Sequence, residues 1–394
     1  MRSRDGPSPQ HSAPHSEGKI LGRAQDDTSS HLLFSSLPMK TALLLLAYGT
    51  PETPDFVVPY YTHIRGGRPP SEEKADELRH RYEAVGGRTP LTRLTNEVRD
   101  RVAAGLTERG LDVPVYVGMK HWTPWIAEAV EQMARDGVER VVCVVLAPHY
   151  SRFSVGGYQR YLFEGMRKHG VEFTVDFVEQ WYDHPGFVAT MATVVRDQLA
   201  RWPDAERDRV TVVFSAHSLP ERIRTWGDPY EAQLESSARL VSEAAGLPGY
   251  RRAWQSAGQT GEPWIGPDIL DFLPQLRDEG VRDVLQVPIG FVCDHLEILY
   301  DLDIEAKHKA EELGITYRRT ELPNARPDFV AALVDIAARA VAGENTVRVD
   351  APPPTTRSRA ELAEGASPIH AEGGATPPKG EESRQAHAAA GSAA

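Results

Sequence analysis

The chain has 394 residues, of which 41% are hydrophobic and 25% charged, enough for about two soluble domains of ordinary size. Its net charge of -12 argues against nucleic acid as a main partner, because a phosphate backbone requires a basic face. Two cysteines, Cys143 and Cys293, exclude a disulfide framework, and by themselves they cannot ligate an iron–sulfur cluster, which normally takes four.

The ends of the chain differ in composition from its body. Residues 1–38 and 343–394 are rich in Ser, Pro and Gly and lack a periodic apolar pattern, so we predict that both are disordered. Met39 directly precedes the first apolar run, which leaves the biological start open between Met1 and Met39. That run, residues 41–47, is the longest, far below the ~20 residues of a membrane span, and no secretory signal is evident. We therefore predict a cytoplasmic protein with no membrane span.

Seven short β-rich runs alternate with helical stretches along the body of the chain. The runs are residues 41–47, 113–118, 140–148, 172–178, 210–216, 283–291 and 315–319. Nearly continuous apolar strands separated by helices are typical of parallel sheets covered on both faces. The fold class predicted is therefore α/β.

The body of the chain also contains an approximate internal repeat. Pro124-Trp125-Ile126 precedes GVERVVCVVLAP, and Pro263-Trp264-Ile265 precedes GVRDVLQVPIGF. This predicts two similar doubly wound, Rossmann-like lobes at 39–185 and 186–342, with coincidence between two ordinary α/β segments as the alternative.

The first lobe carries an insertion over about residues 59–91, directly after its first strand. It mixes tyrosines with arginines, and ligands of open α/β sheets bind beyond the carboxyl ends of the strands. Arginine binds carboxylates through two hydrogen bonds and stacks on rings, so the insertion suits the wall of a pocket for a flat anionic ligand. The alternative is a solvated surface helix over residues 71–85.

His217 follows the apolar strand at 210–216, where a sheet presents side chains to a crevice. The neighbouring Ser218 lacks the G-x-S-x-G context of a hydrolase nucleophile. His217 is therefore a candidate catalytic group, with a structural role at the strand end as the alternative.

An acidic stripe is the sharpest feature of the second lobe. In a helix, Glu297, Asp301 and Glu305 lie at i, i+4 and i+8 on one face, where like charges repel. Ile298 and Leu302 lie on another face, which indicates a half-buried helix and favours a cation path over a merely solvated acidic face. A histidine with a carboxylate suits a borderline metal such as Fe(II), and no H-E-x-x-H motif indicates a tightly held zinc.

These residues belong to a series of motifs that resembles the ferrochelatase family over roughly residues 40–340. The motifs are LAYGTP (46–51), YYTHIRGGR (60–68), RYEAVGGRTPL (81–91), VGMKHWTPWI (117–126), VLAPHYSRFS (145–154), FSAHSLPERI (214–223), GDPYEAQL (227–234), WQSAG (254–258), PWIGPD (263–268), GFVCDHLEILYDLDIEAK (290–307) and PNARPDF (323–329). Their number and order make chance similarity a poor explanation.

The resemblance implies a two-lobed fold like that of chelatases and periplasmic binding proteins, with a porphyrin cleft between the lobes. It implies that His217 and Glu297 are the catalytic, metal-handling pair and that Asp301 and Glu305 continue the metal path. The residues it implies for the tetrapyrrole site are Tyr48, Arg65, Arg81, Tyr82, Thr89 and Tyr158. Thr89 replaces a serine common at that position, and its hydroxyl can still donate.

The resemblance also implies the reaction, insertion of Fe(2+) into coproporphyrin III to give Fe-coproporphyrin III in haem biosynthesis. Tyr48 matches the tyrosine under the porphyrin in enzymes that act on coproporphyrin III, and the membrane-binding segments of protoporphyrin enzymes are missing. Fe(2+) is then a substrate, and we expect no tightly bound cofactor, no [2Fe–2S] cluster and only transient contacts with other haem-pathway enzymes. The alternatives are a protoporphyrin IX ferrochelatase, a cobalt chelatase for a corrinoid precursor, and a haem or tetrapyrrole carrier.

The expected mechanism assigns a task to each group. His217 accepts a pyrrole proton, Arg65 and Arg81 hold propionates, and Tyr48 ligates the product iron. We expect His217 and the acidic stripe to face each other across a cleft wide enough for a tetrapyrrole.

Overall fold

A computed structural model describes residues 39–258 and 260–350 of the chain. Its first sheet comprises β1 (Thr41–Ala47), β2 (Val115–Met119), β3 (Arg140–Val145), β4 (Thr174–Val178) and β9 (Val347–Arg348). The strand order is β2-β1-β3-β4-β9, and only the β4–β9 pair is antiparallel.

The second sheet repeats this pattern. It comprises β5 (Thr211–His217), β6 (Arg251–Gln255), β7 (Asp283–Val287) and β8 (Thr316–Arg319). Its order, β6-β5-β7-β8, matches β2-β1-β3-β4, and every neighbouring pair is parallel. The predicted α/β class with two similar doubly wound lobes is confirmed.

Helices connect the strands. They are α1 (Val57–Ile64), α2 (Glu72–Ala84), α3 (Leu91–Glu108), α4 (Ile126–Arg135), α5 (Val155–His169), α6 (Pro185–Leu199), α7 (Asp204–Arg207), α8 (Tyr230–Ala245), α9 (Ile269–Asp278), α10 (Lys307–Glu312) and α11 (Pro327–Val341), with 3-10 turns at Pro54–Phe56 and Glu221–Trp226 and a π-helix at Ile298–Ala306. Helices α1 and α2 lie in the insertion that follows β1.

Strand β1 shows how burial fixes the sheet. Leu43 and Leu45 pack in one apolar cluster and Leu44 and Leu46 in another, and each side chain is at most 1% exposed. Because successive side chains of a strand point to opposite faces, this strand needs cover on both faces. Its carboxyl end is therefore held firmly at the edge of the cleft.

Helix α11 returns from the second lobe to the first, where it packs on α3, α6, β1 and β3. Phe329 is fully buried and its ring lies 6.0 Å from that of Trp181. Arg140 on β3 donates to the carbonyl of Val341 at 2.7 Å and so satisfies the end of the helix. The predicted boundary between the two lobes, at residues 185 and 186, stays a prediction. Residues 327–341 were assigned to the second lobe, but they pack on the sheet of the first.

Two strands lie outside the seven predicted runs. Strand β6 reads RRAWQ and is an edge strand, so it lacks an apolar run. Strand β9 lies in the segment predicted as a disordered tail from residue 343, and Arg348 pairs with the buried Asp176 of β4 at 2.6 Å. The predicted start of the disordered tail at residue 343 is therefore wrong, because an ordered strand follows it. The predictions for residues 1–38 and 351–394 lie outside the described residues.

No helix in the described ranges combines the length and the apolar character that crossing a membrane would require.

Phe329 provides a test of how far α11 stabilises the fold. Phe329→Ala leaves a cavity beside Trp181, and we expect it to lower the free energy of unfolding by about 3–5 kcal/mol in urea denaturation. Arg339→Ala, on the exposed side of the same helix, removes only a surface ion pair and is expected to cost less than about 1 kcal/mol. Equal losses in the two variants would contradict the packing described.

Candidate active site

The carboxyl ends of both sheets open into one cleft with two adjoining cavities. Cavity A contains about 1080 Å³ of open space and cavity B about 1030 Å³. Four residues line both: Tyr48, Leu91, His295 and Glu297.

Cavity A is built from the ends of parallel strands. Tyr48 follows β1, Lys120 follows β2, His149 lies shortly after β3 and His217 ends β5. The backbone N–H of Lys120 donates to the carbonyl of Ala47 at 2.9 Å, which extends the β1–β2 ladder to the cavity. The rule that ligands bind beyond the carboxyl ends of strands therefore holds for both lobes.

His217 and Glu297 are in contact. The Nε2 atom of His217 lies 3.6 Å from Oε2 of Glu297, slightly longer than a hydrogen bond, and both residues belong to the second lobe. His295, which the prediction omitted, places its Nε2 atom 3.5 Å from the same oxygen. The expectation that the histidine faces the acids across the cleft is therefore wrong, since the cavities lie beside this pair.

The ring of His217 is oriented by its backbone surroundings. Nδ1 donates to the carbonyl of Ser218, which leaves Nε2 directed at Glu297. The hydroxyl of Tyr230 donates to the carbonyl of His217 at 3.1 Å and holds the strand end. His295 is held in the same way, since its Nδ1 donates to the carbonyl of Cys293 at 2.9 Å. Both imidazoles thus present Nε2 to one carboxylate.

The contact shifts the titration of both partners. Burial lowers the pKa of His217, but the negative charge of Glu297 and the Ser218 carbonyl outweigh burial and raise it above its usual value. Burial raises the pKa of Glu297, but His217 and His295 lower it far below its usual range. Glu297 therefore makes His217 a stronger base and stabilises its protonated form.

Glu297 lies directly before the π-helix Ile298–Ala306, which was not predicted. A π-helix bonds i to i+5, so its turn is wider than an α-helical turn and residues four apart stay on one face. The spacing of Glu297, Asp301 and Glu305 is thus compatible with either helix, and the sequence pattern alone does not distinguish them. Short π-helical segments occur frequently at functional sites.

The acidic stripe meets a cation from the other lobe. Asp301 lines cavity B, where it pairs with Arg81 at 3.3 Å and accepts a hydrogen bond from Ser256. Burial raises the pKa of Asp301 to about 7, although Arg81 opposes this shift. Glu305 lines neither cavity, so the stripe reaches the cleft through Glu297 and Asp301 only.

The insertion forms the opposite wall of cavity B, as its composition indicated. Tyr82 lines the cavity, and its hydroxyl lies 2.9 Å from that of Thr50. Thr89 lies 3.0 Å from Thr50 and supports this loop but lines neither cavity. Arg65 is buried with its guanidinium over the ring of Tyr61, and it also lines neither cavity. Arg65 and Thr89 were both predicted to line the tetrapyrrole site, but neither lines a cavity.

Tyr48 belongs to the first lobe and lines both cavities. Its hydroxyl oxygen is buried and has no hydrogen-bond partner among the described residues. Burial, followed by the charge of Glu297, raises the pKa of Tyr48 well above its usual value. Tyr48 therefore holds its proton strongly.

Lys120 is a second residue that the prediction omitted. It is only 2% exposed, and its Nζ atom lies 5.9 Å from the ring centre of Tyr48 and 5.4 Å from that of Tyr158. A Cβ atom at Gly157 would lie 2.7 Å from this Nζ, so a side chain there would displace the ammonium group from its position. Burial, with a contribution from Arg160, lowers the pKa of Lys120 to about 7.

The residues that the prediction omitted have one feature in common, which is visible in the sequence. Lys120, His149 and His295 each follow a strand of the two sheets, as His217 and Tyr48 do. The position beyond a strand end that drew attention to the insertion and to His217 is thus shared by Lys120, His149 and His295. As arranged, no three His, Cys, Asp or Glu side chains within the described ranges form a group that holds a metal.

Comparisons with known proteins identify the relatives of this chain. A family model described as Ferrochelatase matches residues 40–341. The chain is 49% identical to a ferrochelatase of Herpetosiphon aurantiacus, over 75% of the chain and 97% of the relative. It is 45% identical to a coproporphyrin III ferrochelatase of Halalkalibacterium halodurans, over 77% of the chain and 98% of the relative.

A solved structure of SirB from Bacillus subtilis with Fe3+ covers 77% of the chain and 97% of its own length. Its TM-score of 0.48 and its identity of 13% are too low to support a functional conclusion.

The His217–Glu297 contact predicts a change in titration. Glu297→Gln removes the charge that raises the pKa of His217, so we expect this pKa to fall, measured by NMR titration of the imidazole. Asp301→Asn is the control, because Asp301 contributes least among the causes. A larger fall in the control, or none in Glu297→Gln, would refute the pairing.

Proposed function

The chain belongs to the ferrochelatase family, and from this premise we propose that it inserts Fe(2+) into coproporphyrin III and releases Fe-coproporphyrin III. The observation that carries the proposal is the arrangement in the cleft. A histidine–carboxylate pair of the second lobe and Tyr48 of the first lobe line one pocket system with large, mostly apolar walls.

The reaction requires a porphyrin to lose two pyrrole protons while the metal loses its water. His217 takes up these protons one at a time through Nε2, since Nδ1 is engaged with the Ser218 carbonyl. Glu297 stabilises the imidazolium that forms, and its effect on the pKa makes His217 a stronger base.

Protons then need a route away from His217. Glu297 touches His217 and also lines cavity B, where Asp301 has a pKa of about 7. An acid of this pKa accepts and releases protons near neutral pH, so we place the proton exit along Glu297 and Asp301. His295 keeps the Glu297 carboxylate in place.

Holding the porphyrin is the task of the walls. Arg81 lines cavity B and retains its predicted role toward a propionate, although it must share its guanidinium with Asp301 and Glu77. Tyr82 and Tyr158 line the cavities and also retain their predicted roles. Thr89 supports Tyr82 through Thr50, and Arg65 lies against Tyr61, which lines cavity B.

Coproporphyrin III is proposed over protoporphyrin IX because relatives named for it reach 46% identity and because Tyr48 is present. A carrier of haem or porphyrin would not need a proton acceptor beside an acidic route. A cobalt chelatase would differ from the proposed enzyme only in its substrates. The cytoplasmic location, the absence of an iron–sulfur cluster and transient contacts with other haem-pathway enzymes remain parts of this proposal.

The central test is anaerobic iron insertion with coproporphyrin III and protoporphyrin IX measured side by side. We expect a higher kcat/KM for coproporphyrin III and a loss of at least about 100-fold in kcat for His217→Ala, since general-base groups contribute that much. Asp303→Asn, on the π-helix but paired with Arg319, is the control. Turnover by His217→Ala at the wild-type rate would overturn the assignment.

Tyr48 provides a second test. If its phenol oxygen ligates the product iron, Tyr48→Phe removes that ligand and keeps the ring, so retention of Fe-coproporphyrin III should weaken about tenfold while kcat changes less. Product dissociation and the visible spectrum of the bound product measure this. An unchanged spectrum would exclude Tyr48 as the ligand.

A further inference from the structure

His149 is a buried side chain that the mechanism above leaves without a role. It lines cavity A, is 2% exposed, and neither ring nitrogen has a hydrogen-bond partner among the described residues. A buried polar atom without a partner costs free energy, so His149 can gain stability from a polar group that enters cavity A. The position therefore indicates a ligand atom that accepts a hydrogen bond.

The backbone around His149 is fixed while its ring nitrogens are left open. The N–H of Tyr150 donates to Gln233 at 2.7 Å, and the N–H of Arg152 donates to Asp228 at 2.8 Å. The imidazole itself stacks on the ring of Tyr182, with centroids 5.7 Å apart and planes 14° from parallel. Stacking orients the ring without using its nitrogen atoms, as a preorganised donor requires.

Each cavity has polar side chains of its own. Lys74 and Arg81 line cavity B but not cavity A, and Lys120 and His149 line cavity A but not cavity B. A flat ligand that spans both cavities thus meets groups suited to carboxylates in each of them.

The two porphyrins differ in this respect. Protoporphyrin IX carries its propionates on one edge of the macrocycle and vinyl groups elsewhere, whereas coproporphyrin III has propionates in place of those vinyl groups. A vinyl group near His149 leaves the imidazole unpaired, and a carboxylate satisfies it. Sites built to hydrogen-bond a substrate group discriminate strongly against analogues that lack it.

We propose that His149 donates a hydrogen bond to a propionate that coproporphyrin III carries and protoporphyrin IX lacks, which makes it a specificity-determining residue. This inference rests on the proposed function of the cleft. His149 touches a substituent far from the reacting nitrogen atoms, so it contributes to binding and not to the chemical step.

The test compares His149→Phe and His149→Leu with His149→Gln. Phenylalanine keeps the stacked ring without its nitrogens, leucine removes the ring, and glutamine keeps an N–H donor. With coproporphyrin III, we expect KM and the Kd of the metal-free porphyrin to rise about tenfold in the first two variants. We expect kcat to stay within about twofold, and His149→Gln to recover most of the affinity.

With protoporphyrin IX, all three variants should stay within about twofold of the wild type. Thermal melting serves as the folding control, and the apolar variants should be at least as stable as the wild type because they remove unpaired polar atoms. Equal losses for both porphyrins, or no change in Kd, would overturn the assignment of His149.

The measurements separate this inference from the proposed function. Failure of the wild type to insert iron into either porphyrin refutes the function, whatever the variants do. Fluorescence quenching by metal-free coproporphyrin III tests His149 without turnover, and unchanged quenching in His149→Phe and His149→Leu refutes the inference alone.

Discussion

The contact between His217 and Glu297 is the interaction on which the cleft depends. An imidazole and a carboxylate beside apolar walls stabilise each other's charged forms, since each lowers the cost of burying the other's charge. His217 is placed by the end of β5, and Glu297 by the start of the π-helix. The end of β5 and the start of the π-helix must therefore lie close enough for these two side chains to meet. The packing of the second lobe fixes that distance.

The acids beyond Glu297 show how the protein tolerates like charges in one row. Arg81 reaches Asp301 from the insertion of the first lobe, and Arg319 of β8 pairs with Asp303, which lies off that row. Neither cation belongs to the π-helix, so the relief is tertiary and not helical. The ion pair of Arg81 and Asp301 also joins the two walls of cavity B, which couples the charge of the stripe to the position of the insertion.

The sequence predicted the elements that local chemistry determines. Apolar runs located seven of the strands, and the motifs located His217, Glu297 and Tyr48 in one cleft. Strands β6 and β9 were not predicted because neither contains an apolar run. Both are edge strands, and β6 reads RRAWQ. The π-helix was missed because a four-residue spacing fits both helix types. Arg65 was placed in the pocket by resemblance, whereas it packs on Tyr61, four residues earlier, a contact that helical spacing indicates.

Helix α11 has a consequence for the repeat. The two sheets share one strand order, yet the helix at the end of the second half covers the sheet of the first. Cutting the polypeptide at its midpoint would leave the first half with an uncovered apolar face and the second with an orphan helix. Neither half is a self-sufficient module, because the apolar face of the first sheet and the helix that covers it belong to different halves of the chain.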